Sequence, residues 1–105
     1  MHADEERSRL QTVAVEFEAL ANEWHAATDH FSVTWRIAIH PAYQKIIGMG
    51  ESAVPHILGR LRDEGGSWLW ALESIARRNV AEGARDWNET LASWERWAQE
   101  KDLFP

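Results

Sequence analysis

The chain has no cysteine, so neither a disulfide nor a thiolate metal site is available to it, and it carries no mark of an oxidising compartment. Lysine and arginine are also in short supply, 11 against 17 acidic residues, which leaves a net charge of −6. A surface that tracks phosphates needs the opposite balance. No apolar run approaches membrane-spanning length, and the opening MHADEERSRL is charged where a signal peptide would be apolar. A cytoplasmic protein that does not enter a membrane is therefore expected. What is abundant is tryptophan: seven in 105 residues, with 45% hydrophobic residues overall. That supply is enough for one packed core and too little chain for two, so residues 1–105 read as a single domain.

Apolar residues recur at helical spacing. Leu10, Val13, Phe17, Leu20 and Trp24 mark one side of a long helix from Ala3 to Thr28, with Glu5 and Arg9 spaced for a surface pair. The stripe is short, so packing on its own domain is expected ahead of a dimeric coiled coil, with a homodimer as the alternative. The connector 29–40 (DHFSVTWRIAIH) alternates with a period of two but has no partner strand in the chain. It is expected to be extended or a short helix.

Pro41 begins a short helix that Gly48 and Gly50 close, and Glu51 to Arg62 forms the next, with Pro55 in its first turn. Asp63 to Gly66 ends it. Ser67 is then placed as the N-cap of a helix from Trp68 to about Arg78, and the last helix runs from Trp87 or Asn88 to Lys101. The sum is an all-α domain, a compact orthogonal bundle of about five helices.

Within it, Gly48, Gly50, Ala53, Val54, Pro55, Ile57, Leu58, Leu61 and Asp63, followed by Ala71, Leu72, Ile75 and Ala76, form a pattern that resembles a HEAT-type repeat. The resemblance implies an α-hairpin at the centre of the core region 41–78 and a protein-binding role. Solenoids need several such repeats, and only one copy is present. His40 to Gly50, Pro55 and Trp68 to Leu72, with Trp94 and Trp97, are similar to a set of small bacterial proteins of unassigned function.

Catalytic chemistry finds no foothold. His25 and His30 are five apart, and His40 and His56 are isolated, so the i,i+4 ligand pair of a helical zinc site is missing. No serine sits in a nucleophile elbow, and Gly48-x-Gly50 lacks the lysine of a phosphate loop. No catalytic residue, metal or cofactor is assigned, and the chain is read as non-enzymatic.

Trp70 stands out. On a helical wheel it opposes Trp68, Leu72 and Ile75 and shares its side with Ser74 and Arg77, with Arg78 close by. Indole and guanidinium groups together make a candidate partner surface. The competing reading packs Trp70 beneath the first or last helix. Tyr43 and His40 are the second candidate.

The expected function is a protein–protein interaction module, an antitoxin, immunity or adaptor subunit of a small bacterial complex, whose acidic charge suits a basic partner. The alternative is a helix-turn-helix-like DNA regulator over Lys45 to Leu61, with Arg60 and Arg62 following. Its few base-reading side chains and net negative charge make nucleic acid binding by the chain alone the weaker expectation.

Overall fold

Five α-helices and two short 3-10 turns are the regular elements of this computed structural model, in which residues 2–28 and 39–104 are described, with side chains described over 7–27 and 39–104. They are α1 (His2–Thr28), α2 (Pro41–Gly48), α3 (Val54–Glu64), α4 (Leu69–Ala76) and α5 (Trp87–Glu100). No strand occurs among the described residues, and the all-α class follows. The connector lies outside them apart from Ile39 and His40, as do Trp35 and the side chain of Glu5. No helix among them is long and apolar enough to cross a membrane.

Local chemistry explains most helix ends. Pro41 opens α2 at a position that needs no N–H, and the His40 Nδ1 accepts from the Ala42 N–H at 3.0 Å. A 3-10 turn, Gly50–Ala53, feeds α3, whose first turn holds Pro55. Gly50 takes φ +67°, a left-handed value that glycine adopts without steric cost. Asp86 caps α5 by accepting from the Glu89 N–H at 2.8 Å, while the Glu89 carboxylate reaches back to the Arg85 N–H at 2.7 Å. This is a near relative of the capping box.

α3 begins at Val54 rather than Glu51, because the 3-10 turn takes up residues 50–53, and it runs on to Glu64 rather than ending at Arg62. Both ends of α4 differ from expectation as well. The Ser67 side chain does not cap α4: a 3-10 turn, Gly66–Trp68, leads into the helix with no side-chain cap. The Ser67 carbonyl is used elsewhere, as an acceptor for Tyr43. The helix also stops at Ala76, two residues early, because Arg77 turns left-handed at φ 63°, ψ 23°.

The core is centred on aromatic rings. Trp24 of α1 lies 4.8 Å from Trp68 and 5.1 Å from Tyr43 of α2, between ring centroids, and Tyr43 and Trp68 are 5.8 Å apart. Phe17 closes the group at 5.6 Å from Trp68. Each such pair adds about 0.5–1.5 kcal/mol beyond its buried area. Ile57, Leu58 and Leu61 of α3 and Leu91, Trp94, Trp97 and Ala98 of α5 complete the interior. α1 packs chiefly on α2, α2 on α4, and α3 on the Trp68 turn and α5. The two helices of the central hairpin, α3 and α4, touch each other less than they touch these neighbours.

The α1 stripe is only half used. Phe17, Leu20, Ala21 and Trp24 are buried, whereas Leu10 is 64% exposed and Val13 half-buried. The expectation that the whole stripe packs on its own domain fails for a geometric reason. A helix of 27 residues is roughly 40 Å long, and α2, its main neighbour, has 8 residues and reaches only about 12 Å.

Candidate functional site

α4 has two unlike sides. Ala71 and Leu72 face inward and are fully buried, as is Trp68 in the turn before them. Trp70, two residues after Trp68, points the other way and remains 37% exposed. It is not packed under α1 or α5. With Glu73, Ser74, Arg77, Arg78 and Asn79 it lines a shallow surface depression of about 440 Å³. The three residues singled out on α4 in the sequence therefore meet in one place.

The arginines arrive there by an unusual route. Arg77 ends α4 in the left-handed region, where a side chain costs about 1–2 kcal/mol over glycine. Gly50, Gly65 and Gly83 take positive φ without such a cost, and Asp102 at φ 59° is the other non-glycine there among the described residues. After the turn, the Asn79 Oδ1 accepts from the Ala81 N–H at 3.0 Å and holds the start of the following loop. Neither Arg77 nor Arg78 has an ion-pair partner among the described residues, whereas Arg60, Arg62, Arg85 and Lys101 each meet a carboxylate. Glu73 is the one acid in the depression, so its local charge is positive on a chain that is negative overall.

Tyr43 requires a correction. It is fully buried and cannot present a surface to a partner. Its hydroxyl donates to the Ser67 carbonyl at 2.7 Å and accepts from the Ala71 N–H at 2.8 Å. One phenol thus satisfies two backbone groups at the entrance to α4, which has no side-chain cap of its own. Burial pushes its pKa well above the usual tyrosine value, against the Ala71 hydrogen bond, with the Glu73 charge acting in the same direction as burial. His40 is half-buried and serves as the α2 cap. Neither residue lines the Trp70 depression.

A second cluster lies where α1 meets the end of α3. Glu64 lies against His25 Nε2, takes a hydrogen bond from Arg60 at 3.2 Å and takes another from the Trp68 Nε1–H at 3.2 Å. Arg60 also reaches Glu18 and, at 3.4 Å, Asn22 on α1. Partial burial works to lower the Arg60 pKa, but the hydrogen bonds and charges of Glu18 and Glu64 outweigh it and hold the guanidinium above its ordinary value. The i,i+4 spacing of Arg60 and Glu64 is visible in the sequence; the reach across to α1 is not. Arg62 is likewise engaged, by Glu95 of α5. Among the described residues no group of three or more His, Cys, Asp or Glu side chains converges as a metal site.

Comparison adds nothing to this geometry. The chain matches no protein-family model, no curated protein and no solved structure. Its functional reading rests on where its own side chains stand.

Proposed function

We propose that this chain is a non-enzymatic protein-interaction module whose outer α4 face, Trp70 with Arg77 and Arg78, docks a partner. The observation that carries the reading is the pairing of a half-exposed indole with two arginines that have no carboxylate of their own, in one depression. Trp and Arg are the residues most enriched among binding hot spots, since a flat ring and a planar guanidinium both bury well against a partner. The left-handed Arg77 supports it further. A position that would be relaxed as glycine carries a large cationic side chain instead, and strain of this kind gathers at working surfaces.

The overall charge suggests a basic partner, but this face suits an acidic one. A segment carrying carboxylates beside an apolar or aromatic group would meet both features of the depression. An adaptor, antitoxin or immunity role would be served by such a docking face. The DNA-binding alternative is less well supported, because Arg60 is occupied by Glu18 and Glu64 and Arg62 by Glu95.

Affinity capture from the source cells with the full chain and with an Arg77→Glu/Arg78→Glu variant, compared by quantitative mass spectrometry, tests the reading. A stoichiometric protein held by the first and lost by the second is the expected result. Identical captured sets would remove the face from consideration.

A further inference from the structure

The four helices α2 to α5 do not end alike. α2, α3 and α5 each close with a backbone N–H that bonds back into the helix, from Met49, Gly65 and Lys101. α4 has no such closure among the described residues. Arg77 turns left-handed instead, and the N–H groups of Arg77, Arg78 and Asn79 donate to no backbone carbonyl. All three residues are exposed. Arg77-Arg78 is also the chain's only pair of adjacent lysine or arginine residues. The other cations stand differently. Arg7, Arg9, Lys45, Arg60, Arg62 and Arg96 lie inside helices. Arg85 is tied to Glu89 through both its backbone N–H and its guanidinium, and Lys101 closes α5 and pairs with Glu51.

We propose that the Arg77-Arg78 pair is a processing site, at which an arginine-specific endoprotease cuts the chain before Asn79. A protease draws several residues into an extended path, so it cuts at exposed turns that open at little cost rather than within helices. The left-handed Arg77 and the unbonded N–H groups keep that cost low, and the arginines supply the side chain that the protease reads. Only the turn at Asn79, closed by the Ala81 and Glu82 N–H groups, must open with them. Water adds across the amide: the C–N bond breaks, Arg78 gains a carboxylate and Asn79 an ammonium group. The divided chain stays together. α5 remains attached by the buried Leu91, Trp94 and Trp97 and by the Arg62–Glu95 and Lys101–Glu51 pairs, while Ala71 and Leu72 keep α4 in the core. On the outer face, Arg77 and Arg78 become a free end that carries its own carboxylate. Where that face docks a partner, as proposed above, cleavage retires it without dismantling the domain.

Limited digestion of the native full chain by trypsin, read by intact mass after denaturation, tests the site. Arg36 lies outside the described residues, so an Arg36→Gln chain is digested in parallel. The expected first products divide the chain after Arg77 or Arg78, about tenfold faster than at any other described lysine or arginine. In urea-unfolded chain this preference should vanish, because the end of α4 sets it. Native size exclusion of the cut protein should return a single species of the original size, and chain isolated from the source cells should contain the divided form. None of these readouts involves a partner, so failure of the docking reading would leave them unchanged. A first cut at another described residue, a preference that persists in urea, fragments that part under native conditions, or source cells holding only intact chain would each overturn the proposal.

Discussion

Trp68 and Trp70 are two residues apart and have opposite fates. The first lies fully buried in the turn before α4, in contact with Phe17, Trp24 and Tyr43 and bonded to Glu64. The second has no ring neighbour among the described residues and faces solvent beside two arginines. The same kind of side chain acts as a structural centre before a short helix and stands exposed on that helix's outer side, where it belongs to the proposed docking face. In a domain this small the separation matters, because a helix of 8 residues must both close the core and carry the face.

Five variants can break or sharpen that contrast. Trp68→Ala should have the largest effect, a loss of about 3–5 kcal/mol of stability seen in the denaturant midpoint, since it removes the ring on which Phe17, Trp24, His25 and Tyr43 converge. Trp70→Ala should cost less than about 2 kcal/mol in the same measurement. Equal losses from the two would erase the distinction.

Tyr43→Phe should destabilise by about 1–3 kcal/mol, because it leaves the Ser67 carbonyl and the Ala71 N–H without their partner. The wild-type phenol predicts a pH effect as well. Burial raises its folded pKa above the unfolded value of about 10, so above that pH the unfolded chain releases a proton that the folded chain retains. The associated stability is fully present below pH ~10 and is lost as pH rises beyond it. Because Tyr43 is the chain's only tyrosine, tyrosinate absorbance reports this group alone, and it should appear together with unfolding rather than before it.

On the outer side, Trp70→Ala and Arg77→Glu/Arg78→Glu should each weaken partner binding by about 2 kcal/mol or more in titration calorimetry. The charge reversal should change stability by no more than about 0.5 kcal/mol. Arg77→Gly should have the smallest effect, a stability gain of up to about 1 kcal/mol from relief of the left-handed turn, together with weaker binding. A thermal midpoint that falls instead would show that the arginine is held there by packing.

The sequence revealed what depends on short-range repetition. The helix starts at Pro41 and Trp87, the position of Pro55 and the inward residues of α3 follow from local spacing or capping chemistry. On α5 the spacing that aligns Trp87, Leu91, Trp94 and Ala98 holds for the last three only, since Trp87 is exposed and Trp97 is buried. The shared side of Trp70, Ser74 and Arg77 was visible for the same reason. What escaped depended on contacts between distant positions. Tyr43 is a core residue because its hydroxyl meets Ser67 and Ala71, 24 and 28 positions away. Arg60 is an inter-helix tie because Glu18 lies 42 positions earlier. The exposure of Leu10 could not be read either, since periodicity states which residues share a side and not whether anything covers it.

The close grouping around Tyr43 also governs what happens to light. Its ring centroid is 5.1 Å from Trp24 and 5.8 Å from Trp68, so energy absorbed by the phenol passes to an indole before it can be emitted. The folded protein is consequently dark at tyrosine wavelengths although it contains a tyrosine. Loss of α1 alone would leave Trp68 to accept the energy. Tyrosine emission therefore appears only when α2 has parted from both α1 and the turn before α4, and the chain carries its own unlabelled gauge of complete core dispersal.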